Sequence, residues 1–180
     1  VGDLIRVVQQ EEGQYAFSQL PLIQSALVSL NAHSGAIQAL VGGVAFEQSH
    51  YNRAVQALRQ SGSSFKPFIY SAALDAGYTP ASIVNDSPIE VFEPGMKEPW
   101  RPKNDNNTFL GPISLREALY RSRNLVSIRL LQEIGIPYAR EYISRFGPKQ
   151  SDLPPNLSLS LGSASLTPID LTTAWAVFAN

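Results

Sequence analysis

The sequence predicts an α+β fold, a short antiparallel β part followed by a cluster of helices, and three observations carry that prediction. Strand-like apolar runs separated by turn residues occupy the N-terminal quarter. From Lys66 onward apolar residues recur at helical spacing, bounded by start and stop signals. No repeat or low-complexity segment interrupts the order. Runs of strands followed by runs of helices argue for segregated layers.

Leu4-Ile5-Arg6-Val7-Val8 and Gln14-Tyr15-Ala16-Phe17 read as a hairpin turned at Glu11-Glu12-Gly13. Pro21 then predicts a joint, dividing residues 1–22 from residues 23–180. Ala26-Leu27-Val28-Ser29-Leu30 and Ala36-Ile37-Gln38-Ala39-Leu40-Val41 form a second hairpin around Asn31-Ala32-His33-Ser34-Gly35, closed by Gly42-Gly43. The near-continuous apolar run at 26–30 predicts a strand covered on both faces. Helices are expected over 66–76, stopped by Gly77, over 124–134, stopped by Gly135, and over 137–146, stopped by Gly147. Ser114-Leu115-Arg116-Glu117 is a capping box opening a short helix. Thr167-Pro168-Ile169-Asp170 supplies an N-cap, a first-position proline and a first-turn acid for a last one.

Composition narrows the function classes. The 180 residues, 44% apolar and 16% charged, suffice for one core with a small appendage. A net charge of −1 gives no electrostatic footprint for nucleic acid or an anionic membrane. With no cysteine, disulfides, thiol catalysis and thiolate metal sites are excluded. No apolar run reaches membrane-spanning length and no signal peptide is visible. The abrupt start at Val1-Gly2-Asp3 and the end in mid-pattern at Ala176-Val177-Phe178-Ala179-Asn180 read as a piece of a longer protein, with any anchor outside it.

The chemistry centres on Ser63-Ser64-Phe65-Lys66, followed at once by Pro67. A serine and a lysine three apart share one helical face, close enough for a hydroxyl to pass its proton to an amine. Pro67 fixes the helix start near Ser63, where free N–H groups favour a developing anion. Alone, the pattern favours a capping serine and a solvated lysine on an ordinary helix. A second constellation, Ser122-Arg123-Asn124, falls in a tight turn between two expected helices, its hydroxyl and amide aimed at one cleft. There Ser122 would relay a proton, and Asn124 would bond both Lys66 and a substrate carbonyl. As plain structure these residues would cap the following helix.

Together these segments resemble the transpeptidase domain of the class A, bifunctional penicillin-binding proteins. The serine-x-x-lysine element is among the signatures of that superfamily. Supporting stretches are residues 26–30 through Gly35-Ala36, Val41-Gly42-Gly43, Tyr51-Asn52-Arg53-Ala54 and Gln56-Ala57-Leu58-Arg59-Gln60. Trp100-Arg101-Pro102-Lys103-Asn104, Gly111-Pro112-Ile113-Ser114-Leu115-Arg116 and Leu161-Gly162-Ser163-Ala164-Ser165 complete the likeness over residues 23–180.

The resemblance implies a β-lactamase/transpeptidase-like fold, incomplete in this chain. Residues 1–22 would be the end of a small β module, OB-like in some relatives, or a linker hairpin. It further implies Ser63 as acylated nucleophile, Lys66 as its proton acceptor, and Ser122 and Asn124 as the second, substrate-binding motif. The substrate would be the D-Ala-D-Ala end of peptidoglycan stem peptides, with β-lactams acylating the same serine, and no metal or organic cofactor is needed. A glycosyltransferase domain and a membrane anchor elsewhere in the protein, on the periplasmic face of the bacterial inner membrane, belong to the same expectation. Arg123 stands where many relatives carry lysine or aspartate, and its side chain is expected to point elsewhere. No K-T-G or K-S-G triplet occurs in the chain, so one wall of the site is expected beyond Asn180. Two other readings use the same residues: a carboxypeptidase or β-lactamase of this fold, or a non-catalytic module binding peptidoglycan or a partner protein.

The remaining polar residues suggest no second chemistry. His33 and His50 lack a patterned acid and serine, and His33 is expected to decorate a turn. Asp86, Glu90, Glu93 and Glu98 read as a solvated acidic scatter without metal-ligand spacing. Trp100 with Arg101 either lines the cleft or pins a loop, and Trp175 is expected in the core.

Overall fold

The computed structural model describes residues 2, 4–19, 22–92 and 97–180. The joint expected at Pro21 lies outside the described residues, as does Glu93.

Both hairpins form where the turn residues place them. Strand β1 (Arg6–Gln9) pairs antiparallel with β2 (Tyr15–Ser18), Val7 opposite Phe17, around a tight turn at Glu11–Gly13. Strands β3 (Leu27–Leu30) and β4 (Ile37–Val41) make the second pair, with a bulge after Ser29. The expectation of a doubly covered β3 is corrected. Its side chains alternate, the last helix α6 (Pro168–Ala179) packs against the strand, and Leu27 remains 53% exposed.

The helical part surrounds one buried helix. Helix α2 (Lys66–Asp75) buries Lys66, Phe68, Ile69, Tyr70, Ala72 and Ala73, residues on nearly every side of it. A helix apolar almost all round belongs in a core. Around it pack α4 (Asn124–Ile134), α5 (Ile136–Ser144) and a 3-10 turn at Leu157–Leu161. Phe68 anchors an aromatic cluster, with ring centroids 5.4 Å from Phe65, 5.2 Å from Phe146 and 5.3 Å from Phe178. Such pairs add about 0.5–1.5 kcal/mol each beyond the area they bury. Trp175 departs from its expected place. It meets Phe68 and Phe178 edge-on but stays 39% exposed, and among the described residues α6 packs chiefly against β3 and the Arg53–Gln56 helix.

Local signals set the element boundaries. Helix α1 (Arg53–Gln56) starts at Asn52, whose side chain accepts from Ala54 N at 3.0 Å. Helix α3 (Leu115–Tyr120) starts at Ser114, whose Oγ accepts from Glu117 N at 3.2 Å. The reciprocal half of that capping box is replaced by an ion pair, Arg121 Nε to the Glu117 carboxylate at 2.9 Å. Thr167 caps α6 through Asp170 N, with Pro168 in the first turn as expected.

Three short antiparallel contacts then fix the loops that frame the cleft. Strand β6 (Ile83–Asp86) pairs with β7 (Gly111–Ser114), and Val91 bridges Trp100. Strand β5 (Arg59–Gln60) pairs with β8 (Ser165–Leu166), and the pairing continues as Ser61 N to Ala164 O at 3.2 Å and Gly62 N to Gly162 O at 3.1 Å. This last contact admits only glycine. Gly162 sits at φ 74, and a Cβ there would lie 2.0 Å from the Gly62 carbonyl oxygen. Gly162→Ala is therefore expected to lower the unfolding free energy by about 2–4 kcal/mol in denaturant titration. Gly77→Ala, at φ 102 but facing open space, serves as the comparison and should cost about 1–2 kcal/mol.

Candidate active site

Two tight turns face each other across the site. The first is a 3-10 turn, Gly62–Phe65, after which α2 begins at Lys66. Ser63 thus precedes the α-helix by one turn instead of lying inside it. The spacing argument survives, since side chains three apart eclipse in a 3-10 helix. The Lys66 N–H donates to the Ser63 carbonyl and closes the turn.

The three neighbouring serines differ in what their hydroxyls do. Ser64 Oγ donates to the Ser61 carbonyl at 2.5 Å. Ser61 Oγ donates to the Gly162 and Ala164 carbonyls at 3.3 and 3.4 Å. Ser63 Oγ enters no hydrogen bond among the described residues and lines an open cleft of about 330 Å³. The hydroxyl three residues from Lys66 is the uncommitted one.

The second turn, between α3 and α4, holds Ser122 at φ 54. This left-handed conformation brings the carbonyl and the hydroxyl of one residue to the same amine. Lys66 Nζ donates to Ser122 O at 2.6 Å, to Ser122 Oγ at 2.9 Å and to Asn124 Oδ1 at 2.6 Å. Asn124 Nδ2 donates to the Lys103 carbonyl at 2.9 Å, which leaves one amide hydrogen for another acceptor. Ser63, Ser122 and Asn124 line one cleft with Asn104, Asp105, Asn106, Arg121 and Arg123. All four residues singled out from the sequence are therefore brought together, directly or around that cleft.

Lys66 is 1% exposed and takes part in no ion pair among the described residues. Burial, and secondarily the Arg123 guanidinium, lower its pKa to about 8. The structure supplies Arg123 as the positive neighbour.

Sequence reasoning missed the scaffold behind this turn. Asp86 does not belong to a solvated scatter. It is fully buried, pairs with Arg123 at 2.7 Å, and accepts from Asn104 Nδ2 at 2.8 Å and Leu110 N at 3.0 Å. Asn104 Oδ1 in turn accepts from Asn124 N at 2.9 Å and Leu125 N at 3.3 Å, capping α4 from a distant loop. The available signal was an aspartate closing a strand that reads Ile-Val-Asn-Asp, an acid where apolar alternation calls for a buried residue. Glu90, by contrast, pairs with Arg101 at 2.8 Å on the surface, and Glu98 is exposed. Trp100 pins its loop through the Val91 bridge. His33 lies in the hairpin turn with Nδ1 2.9 Å from Asn180 Oδ1, and His50 stacks on Phe46 at 4.3 Å, so neither histidine belongs to the cleft.

The lowered pKa of Lys66 carries a stability signature. Unfolded, the amine keeps its proton up to about 10.5, whereas folded it releases it near 8. Between those values the unfolded chain binds more protons, so the lysine's contribution to stability rises with pH and is lost as pH falls through the window. Against Lys66→Met, the wild type should gain up to about 3 kcal/mol between about pH 7 and 10.5. Urea denaturation of both proteins across that range measures it, and a constant gap would mean an unshifted amine.

Comparison with known proteins gives a consistent assignment. The penicillin binding protein transpeptidase domain matches residues 25–180. Penicillin-binding protein 1A of Pseudomonas aeruginosa is 62% identical over 179 residues, covering 99% of this chain and 22% of that protein. The crystal structure of penicillin-binding protein 1A from Haemophilus influenzae superposes with a TM-score of 0.90 at 46% identity, over 98% of this chain and 26% of that one. PonA1 of Mycobacterium tuberculosis, solved in complex with penicillin V, gives 0.74 at 28% identity over 87% of this chain and 44% of that one. The chain spans about a fifth of the length of the curated relative it matches, 22%. With its fold, its motifs and its sequence in agreement, the chain belongs to the penicillin-binding protein transpeptidase domain family.

Proposed function

We propose that this chain carries the nucleophile and base of a peptidoglycan D,D-transpeptidase that works through a serine acyl-enzyme and is a covalent target of β-lactams. One observation supports this reading above others. A buried lysine without a carboxylate partner is held by Ser122 and Asn124, and these two residues line one cleft with the uncommitted Ser63 hydroxyl.

The protonation states follow from the acceptors. A neutral lysine amine has two hydrogens and one lone pair. The Ser122 carbonyl and Asn124 Oδ1 can only accept, so they take both hydrogens. The lone pair is left for a hydroxyl proton, from Ser63 or from Ser122. Ser63 Oγ attacks the carbonyl between two D-alanines while its proton moves to Lys66. The tetrahedral intermediate collapses with cleavage of the C–N bond, and Ser122, bonded to Lys66, delivers a proton to the departing D-alanine amine. An amine of a second stem peptide then attacks the acyl ester, completing the cross-link and returning the proton to Ser63. A β-lactam follows the first half of this path and stays attached.

The same reading places the whole protein at the periplasmic face of the inner membrane, with a glycosyltransferase domain and an anchoring segment elsewhere in its chain. No helix among the described residues is long and apolar enough to cross a membrane. Residues 1–22 are proposed to end a separate small β module, and the third motif of the site is proposed to follow residue 180.

Two variants test the assignment in the full-length protein. Penicillin treatment followed by peptide mapping should place the adduct on Ser63, and Ser63→Ala should abolish it. An adduct on Ser64 or Ser61, or undiminished labelling of the variant, would overturn the nucleophile. Lys66→Arg should keep the charge yet reduce the acylation rate by at least about a hundredfold, since a guanidinium does not give up its proton in the working range. Acylation within a few fold of wild type would reduce Lys66 to an electrostatic partner.

A further inference from the structure

We infer that Arg123, locked in place by Asp86, is a positioning residue of this site: its buried guanidinium holds the Ser122–Asn124 turn on the loop after Asn104 and fixes a permanent positive charge behind Lys66. The inference rests on the reading of Lys66 as proton acceptor.

The geometry is a closed ring of buried polar groups. Arg123 is 4% exposed, Asp86 0% and Asn104 3%. From Arg123, Nε donates to Asp86 Oδ2 at 2.7 Å, Nη1 to Asn106 Oδ1 at 3.2 Å, and Nη2 to the Thr108 carbonyl. Asp86 Oδ1 accepts from Asn104, and Asn104 closes the ring on the Asn124 backbone. Residues 123 and 124 are thereby tied to the same loop, one through its side chain and the other through its N–H. Between them the ties leave the turn one position, and in that position Ser122 and Asn124 reach Lys66. The fork matters because its separate nitrogens reach acceptors on Asp86, Asn106 and Thr108, whereas an ammonium meets several acceptors only where they converge on one nitrogen, as at Lys66.

Charge adds a second role. The titratable and charged groups around Lys66 and its cleft are Tyr70 on α2, Asp86 on β6, Lys103 and Asp105 on the loop, and Arg121 and Arg123 at the α3–α4 turn. Burial pushes the Tyr70 hydroxyl up to about 12, so it stays neutral. Among these groups it is Arg123 that acts on the amine, disfavouring its protonated form.

The test measures β-lactam acylation against pH in the full-length protein, with thermal unfolding alongside. Arg123→Lys keeps the charge and loses the fork. It should leave the ascending limb of the profile in place and lower the plateau by about tenfold or more. The paired replacement Arg123→Met with Asp86→Leu removes both charges without stranding either. It should move the limb to higher pH and reduce the rate near pH 7 by about three- to tenfold beyond any plateau loss. A wild-type plateau in Arg123→Lys overturns the positioning role, and an unmoved limb in a folded paired variant overturns the electrostatic one. Should the paired variant not fold, the plateau of Arg123→Lys decides. If Ser63→Ala still labels, the serine–lysine reading itself fails. If Ser63→Ala is inert while both Arg123 variants behave as wild type, only the present inference fails.

Discussion

The site depends on burying an ammonium group without giving it a counter-ion. Removing such a charge from water costs several kcal/mol even after relaxation, and a carboxylate partner would offset it. A carboxylate would also stabilise the protonated form and raise the pKa, taking the amine out of use as a base. The fold instead offers neutral oxygens: a backbone carbonyl, a hydroxyl and a side-chain amide, all within 2.9 Å of Lys66 Nζ. They satisfy hydrogen bonds without compensating the charge. The amine therefore sits near its titration point, at about 8. The arrangement of α2, α3 and α4 follows from bringing those three oxygens to one nitrogen. So does the positive φ of Ser122, a conformation that costs a non-glycine residue about 1–2 kcal/mol.

The ion pair behind the turn has to be judged by the same arithmetic. A buried Arg–Asp pair is weak evidence for stability, since its desolvation can exceed its attraction, whereas removing one partner strands a charge at considerable cost. Asp86 would be expected to counteract Arg123 at Lys66. Its oxygens are already taken by Arg123, Asn104 and the Leu110 N–H. Asp86 still helps to raise the Tyr70 hydroxyl, after burial, whereas at Lys66 it is the Arg123 side of the pair that acts. The pair is best understood as registration. It ties a turn already closed by main-chain bonds to the loop after Asn104.

Much of this was legible in the chain. N-caps marked α3 and α6, and a first-turn proline marked α5, because these signals act through local geometry, visible within four residues. The serine–lysine spacing likewise needs only one turn of helix. The misreadings have a common physical origin in partners distant in sequence. Asp86 looked solvated because its partner Arg123 is 37 residues away. Leu27 and Trp175 looked fully buried because hydropathy reports what a side chain prefers, not whether a second layer is present to cover it. Gly162 was noticed as part of a familiar run. Its reason, contact with the Gly62 backbone, lies one hundred positions upstream.

The two halves of the site are held by different forces, and this decides which changes each can tolerate. The Gly62–Phe65 turn is fixed by main chain against main chain: Gly62 on Gly162, Ser61 on Ala164, and β5 on β8. Such contacts are indifferent to most side chains and intolerant of an added Cβ at one point. The Ser122–Asn124 turn is closed by its own main chain, Ser122 N to Leu119 O and Arg123 N to Ala118 O at 2.9 Å each, and is tied to the loop after Asn104 by the side chains of Asn104, Arg123 and Asp86. Side-chain clamps can be retuned by exchange of residues of similar reach, and backbone clamps cannot. The position of Ser63 is set by backbone geometry that most side-chain exchanges leave untouched.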